Sequence, residues 1–373
     1  MIFIVILYGL FMVQLIFGFS KIKKFAPISF AEPKTTFTII VPFKNEAALL
    51  PQLLDSFSKL NYPKNLFEII AINDQSTDHS AETYHHWRMA NGLIQTTLLN
   101  RVKLSKSPKK SAILQAIPIA KYQWIITTDA DCIVQPNWLL TFDTYIQNHE
   151  VSMVAAPVLT IPQSTFLSHF QYIDMLSLQG TTIGSFGIGE GFMCNGANFA
   201  YTKKWFEALN GFEGNTDLAS GDDVFLLQKA LQNKPQKVGF LNSKTALVQT
   251  KSEKSWHNLI QQRIRWGSKS SRYAIPFSKE LAVVVLLTNF GFVCSFVGCI
   301  FGYYSWQQWL IWLLVKWSFD MVLLLQTSKA IGTKKWIFPI MSSLFYPFFC
   351  SYVGFMAVWG RFSWKGVSYS CKT

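Results

Sequence analysis

The chain has 373 residues, of which 50% are hydrophobic, 16% are aromatic and only 15% are charged. A soluble globular protein carries about 25% charged residues, so this composition argues against an ordinary cytosolic enzyme and excludes a disordered chain. The 34 Lys and Arg residues outnumber the 21 Asp and Glu residues, and the net charge of +13 predicts an anionic partner: nucleic acid, an anionic membrane face or a phosphorylated substrate. The six cysteines form no C-x-x-C pair, which argues against zinc and disulfides and favours a reducing, cytosol-facing soluble part.

The first predicted element is an apolar segment, residues 1–20, that contains no charged side chain. Twenty apolar residues are about enough to cross a hydrocarbon core of roughly 30 Å. Lys21, Lys23 and Lys24 follow the segment, whereas a cleaved signal peptide carries its positive charge in front of it. The sequence therefore predicts an uncleaved transmembrane anchor, with Met1 outside and the domain that follows in the cytoplasm.

Residues 36–250 form the predicted soluble domain, in which short apolar runs alternate with amphipathic stretches. The strand-like runs and the stretches with helical spacing are, in chain order, the strands 37–42, 67–72, 93–99 and 124–128 and the helices 46–60, 80–91 and 109–120. Strands that alternate with helices predict βαβ units, and hence an α/β fold with a mainly parallel sheet.

Acidic residues follow two of these predicted strands. Asp74 comes after the second strand, and Asp129 and Asp131 come after the fourth. Ligands of parallel sheets bind at the carboxyl ends of the strands, so both positions are candidate parts of a site. The Asp74 carboxylate can accept hydrogen bonds from a pyrimidine imide or a ribose hydroxyl, but residues 76–78 equally fit an ordinary helix N-cap turn.

Two further acidic patterns permit both a chemical and a structural interpretation. Asp129 and Asp131 can share a hard divalent cation, which prefers oxygen ligands and leaves positions open for phosphate oxygens; the alternative is a turn with surface acids. Asp222 and Asp223 lead into an apolar helical pattern. They can serve as a carboxylate base for a hydroxyl, or simply compensate the helix dipole.

Residues 251–275 are predicted to form an interfacial helix that carries Gln262, Arg265 and Trp266. Adjacent Arg and Trp side chains can bind a diphosphate and stack on a ring. The alternative is a basic interfacial helix with a snorkelling arginine. Residues 166–179 also look amphipathic enough to lie on the membrane.

Residues 281–360 are predicted to hold further transmembrane or re-entrant helices. Lys316 and Asp320 stand at i, i+4 spacing within them and are predicted to form an ion pair that locks helix packing. Lysines at 334–335 predict a return to the cytoplasm. The basic tail 361–372 favours a cytoplasmic end, whereas counting full crossings places that end outside.

In this order the motifs resemble those of the membrane-integrated family 2 glycosyltransferases, whose catalytic domain has the GT-A fold. The resemblance covers residues 36–268. It rests on the following segments: I-V-P-F-K-N-E at 40–46, Asp74, D-x-D at 129–131, paired acids at 222–223, and Q-x-x-R-W at 262–266. One predicted span before these motifs and several after them agree with the membrane-integrated members.

The resemblance implies a Rossmann-like GT-A fold and a nucleotide-sugar donor with uridine as the base. Pro42 and Glu46, within the segment 41–46, would hold the uridine together with Asp74. Lys110 would lie close to the nucleotide.

For the diphosphate, the resemblance implies that Asp131 ligates Mg²⁺ or Mn²⁺ and that Asp129 orients ribose and metal.

For the transfer step, the resemblance implies that Asp223 is the general base, with Asp222 beside it. Gln262, Arg265 and Trp266 would contact the diphosphate and the acceptor, as would Asn198. Two positions depart from the family pattern, because Asn73 stands where many members have Asp and Asp222 where Glu is usual. Both residues keep a polar side chain.

The tail Trp364-Lys365-Gly366 is similar to that of lipid-glycosylating members, including ceramide- and carotenoid-type enzymes. It favours a membrane lipid hydroxyl as acceptor, and hence glycolipid biosynthesis by a multi-pass protein of the inner or plasma membrane. The alternatives are a polysaccharide synthase of the same family and a non-catalytic membrane scaffold. Nucleic acid is disfavoured, because no basic stripe alternates with aromatic residues on a soluble face.

Overall fold

Two units make up the computed structural model, which describes residues 1–27, 29–218, 220–332, 339–364 and 367–371. The sheet unit comprises Lys23–Leu159 and Met193–Lys251, and the helical unit comprises Met1–Ile22, Thr160–Phe192 and Ser252–Thr373. Four of the basic residues used to orient the C-terminal part, Lys334, Lys335, Lys365 and Lys372, lie outside the described residues, as does Gly366 of the tail motif, whereas Arg361 is described.

The strands in chain order are β1 (Phe37–Phe43), β2 (Phe67–Asn73), β3 (Gln95–Asn100), β4 (Trp124–Thr127), β5 (Cys132–Ile133), β6 (Met153–Ala155), β7 (Val158–Ile161), β8 (Phe199–Thr202), β9 (Val238–Phe240), β10 (Val248–Lys251), β11 (Arg361–Trp364) and β12 (Val367–Ser370). The main sheet of the sheet unit has seven strands in the order β3-β2-β1-β4-β8-β6-β9. Strands β1 to β4 pair in parallel, β8 runs antiparallel to β4 and β6, and β9 is parallel to β6. The predicted α/β fold with a mainly parallel sheet is therefore confirmed.

Strand β1 lies near the centre of this sheet, and every one of its residues except Pro42 is buried. Such continuous β-branched and aromatic runs are typical of parallel strands that are covered on both faces. A proline in a strand removes one ladder hydrogen bond. Here β4 pairs with β1 only from Phe37 to Ile40, so the missing N–H of Pro42 costs no bond to β4.

The helices of the sheet unit are α2 (Leu50–Ser58), α3 (Ser80–Ala90), α4 (Pro108–Ala116), α5 (Trp138–Asn148), α7 (Lys203–Ala208) and α8 (Asp222–Asn233). Helix α3 ends one residue earlier than the sequence predicts, and two other helices are markedly shorter than predicted. Helix α2 begins at Leu50 rather than at 46, because the Glu46 carbonyl accepts bonds from the N–H groups of Leu49 and Leu50 in a preceding turn, and Pro51 suits a first helical turn. Helix α4 ends at Ala116, since Pro118 cannot donate the next helical bond.

The helical unit contains α1 (Ile2–Lys21), α6 (Phe166–Gly187), α9 (Trp256–Gly267), α10 (Pro276–Ile300), α11 (Trp306–Ile331) and α12 (Pro339–Trp359). Short 3₁₀ turns are Ile117–Ile119 and Pro235–Lys237 in the sheet unit and Ser270–Arg272 in the helical unit. Helices α1, α10, α11 and α12 are long and apolar enough to cross a membrane. Strands β11 and β12 form an antiparallel pair in the same unit.

Helix α6 packs in the helical unit against α1 and α11, although its residues fall inside the predicted domain 36–250. Its buried residues cover nearly the whole circumference and include polar side chains such as His169, Gln171 and Asp174. A helix buried on all sides cannot rest on a membrane surface with one face exposed. The prediction that residues 166–179 lie on the membrane was therefore wrong, because periodicity does not show which neighbours cover the polar face.

Helices α1 and α6 cross at a contact between their main chains. A Cβ atom on Gly184 of α6 would lie 2.5 Å from the Leu15 carbonyl oxygen of α1, and one on Gly18 would lie 2.1 Å from the Gly184 carbonyl oxygen. Small residues permit such close approach between apolar helices.

We expect Gly184→Ala to destabilise the protein by about 1–3 kcal/mol, the usual cost of overpacking. In a helix with free space around the glycine, the same change stabilises the protein by about 0.5–1 kcal/mol. The sign of the change in stability therefore shows whether the close contact between α1 and α6 is present. Thermal unfolding of the full chain in detergent measures it. Gly92→Ala is the control, because a Cβ at Gly92 meets nothing within 4 Å; a Gly184→Ala protein as stable as this control would contradict the prediction.

The predicted ion pair in the C-terminal part is confirmed. The Nζ atom of Lys316 lies 2.6 Å from Oδ2 of Asp320, and the hydroxyl of Tyr8 donates to the other oxygen of the same carboxylate. The pair therefore links α11 to α1 within the helical unit. Paired charges of this kind are the form in which ionisable groups occur among apolar helices.

Candidate active site

The loops that follow β1 and β2 are tied together at the carboxyl end of the sheet. The N–H groups of Asn45 and Glu46 donate to the hydroxyls of Ser76 and Ser80, at 3.1 and 2.8 Å, and Thr77 N–H donates to Oδ1 of Asn45 at 2.8 Å. Asn45 stands at φ 54°, a left-handed conformation that Asn tolerates better than most residues. The segment that carries Pro42 and Glu46 is thus fixed against the segment that follows Asp74.

Asp74 is buried at this edge and is paired with Arg101, whose Nε donates to its carboxylate. Its N–H bonds to the Phe43 carbonyl at 2.8 Å, and the Arg101 N–H bonds to the Asn73 carbonyl at 2.9 Å. Arg101 was not singled out from the sequence. The available signal was its position directly after β3, just as Asp74 directly follows the neighbouring parallel strand β2.

The D-x-D motif lies in the turn between β4 and β5. One carboxylate oxygen of Asp131 accepts a hydrogen bond from Thr250 Oγ1 at 3.1 Å, and the other lies 3.7 Å from Cys132 Sγ. Burial raises the pKa of Asp131, and the negative charge of Asp129 raises it further. The two carboxylates stand two residues apart in this partly buried turn and repel each other, and a cation between them would relieve this repulsion.

Lys109, in the first turn of α4, connects the D-x-D motif to the acids of α8. Its Nζ atom lies 2.5 Å from Oδ1 of Asp129 and 3.5 Å from Oδ2 of Asp222. Burial lowers the pKa of Lys109, but the charges of Asp129, Asp222 and Asp223 outweigh this and raise it above its usual value. The ammonium group is therefore charged and bound among three carboxylates.

Lys110, the lysine that the resemblance places close to the nucleotide, points elsewhere. Its side chain is fully buried, and its Nζ atom donates to the main-chain carbonyls of Asn215 at 2.6 Å and Leu218 at 3.3 Å. Of the two adjacent lysines, Lys109 is the one that contacts the acidic cluster, and the nucleotide contact of Lys110 stays a prediction. Residues i and i+1 face different sides of a helix, so only the exact start of α4 decides which one does.

Asp222 and Asp223 occupy the first turn of α8, after Gly221 in a left-handed conformation with φ 85°. The two oxygens of Asp223 accept hydrogen bonds from the N–H groups of Gly196 at 2.8 Å and Val224 at 2.7 Å. A Cβ atom on Gly196 would lie 3.0 Å from both Lys109 Nζ and Asp222 Oδ2. Glycine therefore lets the main chain approach and position the Asp223 carboxylate.

Asn198, which the resemblance places on the acceptor side, lies inside the sheet unit. Its side chain is fully buried; Oδ1 accepts from the Trp138 indole at 3.0 Å, and Nδ2 donates to the carbonyls of Pro157 at 2.8 Å and Ala246 at 2.7 Å. Both amide protons are thus used inside the sheet unit. The residue therefore holds three segments of the fold together, whereas its acceptor-side role stays a prediction.

Gln262, Arg265 and Trp266 lie on α9 of the helical unit. Gln262 Nε2 donates to Glu253 at 2.9 Å, and the Trp266 ring lies under the guanidinium of Arg263, whose Cζ is 4.2 Å from the ring centroid. Arg263 and Glu253 were not singled out from the sequence.

The residues present fit a divalent cation that is bound together with a substrate. Within residues 1–27, 29–218, 220–332, 339–364 and 367–371, no group of three or more His, Cys, Asp or Glu side chains is arranged to hold a metal ion. Asp129 and Asp131 would therefore supply two ligands. Mg²⁺ is commonly bound by one or two carboxylates plus phosphate oxygens and water, which matches this donor set.

We expect Lys109→Met to lower the thermal stability of the protein, by about 1–3 kcal/mol for a charged group that loses its partner. A divalent cation can then bind between the carboxylates that the lysine no longer neutralises. Added Mn²⁺ should therefore raise the melting temperature of the variant more than that of the wild type. Differential scanning fluorimetry with and without Mn²⁺ measures both effects. Lys109→Arg, which keeps the charge, is the control, and equal Mn²⁺ shifts in all three proteins would contradict the prediction.

Comparison with known proteins finds two matching family models. The model described as "Glycosyl transferase family group 2" matches residues 124–372, and the one described as "Glycosyl transferase family 2" matches residues 38–209. Together these matches extend from the first strand of the sheet to the end of the described chain.

Among curated relatives, poly(ribitol-phosphate) beta-N-acetylglucosaminyltransferase TarS of Staphylococcus aureus is 25% identical over 146 residues, which are 38% of this chain and 25% of that protein. Beta-monoglucosyldiacylglycerol synthase of Nostoc is 27% identical over 159 residues, which are 41% of this chain and 33% of that protein. The chain thus spans about a quarter to a third of the length of these relatives.

Among solved structures, the mannosyltransferase PcManGT of Pyrobaculum calidifontis, in complex with GDP-Man and Mn²⁺, aligns with a TM-score of 0.51. It is 15% identical, and the alignment covers 87% of this chain and 97% of that one. At this identity the likeness concerns the fold, and it confirms the predicted GT-A architecture.

Proposed function

The chain belongs to glycosyl transferase family group 2 and is a glycosyltransferase, and we propose that it transfers a sugar from a nucleotide donor, with UDP as the nucleotide, to the hydroxyl of a membrane lipid. One observation carries this proposal. The acids of the D-x-D turn and those at the start of α8 meet around Lys109, at the end of the sheet where ligands of α/β folds bind.

On the donor side, we assign the nucleoside to the rim formed by Pro42, Glu46 and Asp74. Support comes from the hydrogen bonds that fix this rim and from the Arg101 pair that orients the Asp74 carboxylate. Asp129 and Asp131 would hold Mg²⁺ or Mn²⁺, which when bound neutralises charge on the leaving diphosphate. The Mn²⁺ named for PcManGT agrees with a divalent cation here, and its GDP-Man is likewise a nucleotide sugar, although with guanosine in place of the uridine proposed for this chain.

On the acceptor side, Asp223 is the proposed base, in an inverting reaction. The acceptor hydroxyl gives its proton to the Asp223 carboxylate while its oxygen forms a bond to C1 of the sugar. The bond between C1 and the phosphate oxygen breaks, and the nucleoside diphosphate leaves with that electron pair. The hydrogen bonds from Gly196 and Val224 support this role, because they hold the carboxylate in one position.

The lipid acceptor and the membrane location rest on the helical unit. Four of the described helices are apolar and long enough to span a bilayer, which supports a multi-pass membrane protein. The cytoplasmic location that we propose for the catalytic domain rests on Lys21, Lys23 and Lys24, which follow the first of these helices. The name of the Nostoc relative indicates a diacylglycerol-linked product for that protein. The diphosphate and acceptor roles of Gln262, Arg265 and Trp266 belong to the same proposal.

The experiment that tests this function compares cells with and without the gene. Lipid extracts analysed by mass spectrometry should lose species that carry one hexose-sized increment. Unchanged lipids together with a sugar lost from the polymer fraction would instead favour a polymer acceptor, which the name of the S. aureus relative indicates for that protein. No change in either fraction, with no cation-dependent hydrolysis of UDP-sugars by the purified protein, would overturn the proposal.

A further inference from the structure

Arg263, which the Q-x-x-R-W motif leaves unspecified, contacts two of the motif's residues in the helical unit. One of its Nη atoms donates to Oε1 of Gln262, and its Cζ lies 4.2 Å from the centroid of the Trp266 ring. Gln262 and Trp266 are four residues apart and therefore share one face of α9. A single guanidinium group thus holds both of them.

Asp174 of α6 fixes that guanidinium group. Its Oδ2 atom accepts from Arg263 Nε at 2.7 Å, and the two side chains are only 4% and 7% exposed. Because guanidinium is planar with donors in a rigid fork, a bond at Nε sets the plane of the whole group. That plane determines where Nη1 meets Gln262 and how the flat face covers Trp266.

A second connection from the same helix reaches the other end of the Gln262 amide. Gln171 bonds twice to the main chain of Glu253, accepting from its N–H at 2.7 Å and donating to its carbonyl at 3.0 Å. The Glu253 carboxylate then accepts from Gln262 Nε2 at 2.9 Å. Gln171 and Asp174 are three residues apart, on one face of α6, and together they fix both polar atoms of the Gln262 amide.

We propose that Asp174 and Arg263 are positioning residues, which hold Gln262 and Trp266 in the orientation needed for transfer. The inference rests on the proposed function, because Asp174 and Arg263 act only by orienting residues that the proposed function uses for transfer. Its alternative is a purely structural ion pair. The helical unit offers a matched control, because the pair between Lys316 and Asp320 is also partly buried and bonds to Tyr8 instead of the motif.

The test uses the full chain in detergent, with UDP-sugar as donor, and measures transfer and thermal stability for each variant. Arg263→Lys keeps the charge but loses the fork, and Asp174→Asn loses the charge that orients it. We expect both to lower kcat/KM by about 10–100-fold, the effect typical of groups that orient a functional side chain. Asp320→Asn should lower the melting temperature without this kinetic loss.

A double-mutant cycle distinguishes positioning from structure. If Arg263 acts partly through Gln262, then Arg263→Lys should cost clearly less activity in a Gln262→Ala background than in the wild type, where only its contact with Trp266 remains to be lost. The inference would be overturned if the activity losses of the two single variants were fully additive in the double variant. It would also be overturned if Asp320→Asn, at the same loss of stability, lost as much kcat/KM as Arg263→Lys. If the wild type is active and Gln262→Ala transfers sugar at the same rate, then the proposed role of Gln262 in transfer is wrong. In that case there is no functional side chain for Arg263 to position.

Discussion

Replacing Asp223 with Asn should lower the rate of sugar transfer by about 10²–10⁴-fold, the usual contribution of a general base. Asn is nearly the same size and keeps an oxygen that can accept the N–H bond now made by Gly196 or Val224. It cannot take a proton from the acceptor hydroxyl. The loss should therefore appear in kcat, while the affinity for UDP, measured by calorimetry, changes little.

The control for this variant is Asp55→Asn. Asp55 forms an exposed pair with Lys59 on α2, and its side chain is 61% exposed. This change removes the same charge without touching the acidic cluster, so transfer should stay at the wild-type rate. An Asp223→Asn enzyme that transfers sugar at full rate would remove Asp223 from the mechanism.

Replacing Asp131 with Asn should abolish cation binding and lower transfer by at least about 100-fold, the upper end of what outer-shell partners of a metal cost. In the absence of a cation the variant should be as stable as the wild type or more stable. The reason is that partial burial of the Asp131 carboxylate, and then its repulsion by Asp129, raise the pKa of Asp131; both penalties disappear when Asn removes the charge.

Two measurements check the Asp131 variant. Electron paramagnetic resonance counts free Mn²⁺ in the presence of protein, and scanning fluorimetry in EDTA and in Mn²⁺ reports stability. The wild type should gain stability from Mn²⁺ and the variant should not. An Asp131→Asn protein that binds Mn²⁺ as tightly as the wild type would contradict a metal site at the D-x-D turn.

The fold was predictable because its signals are local. Buried runs such as those of β1 and β2 reveal strands through composition alone, and the acids that follow them indicate the edge of the sheet where ligands bind. The pair between Lys316 and Asp320 was predictable for the same reason, since i, i+4 spacing on a helix fixes their proximity.

The remaining features depend on contacts between distant segments. The side-chain amide of Asn198 is hydrogen-bonded at both its oxygen and its nitrogen because Trp138, Pro157 and Ala246 converge on it. The choice of Lys109 over Lys110 depends on the first turn of α4, and element boundaries are the least certain part of a sequence prediction. The sequence of residues 166–187 contains no pattern that identifies α1 as the helix that packs against the glycines of α6.

The glycine crossing between α1 and α6 has a consequence for the order of assembly. During synthesis the first helix emerges long before its partner, because the whole segment Lys23–Leu159 separates the two in the chain. Until then the groove at Gly18 is open to any other helix with a small-residue face. A chaperone or insertase that shields α1 during this interval would therefore raise the yield of correctly assembled protein, and a truncation before α6 would leave α1 without its native neighbour.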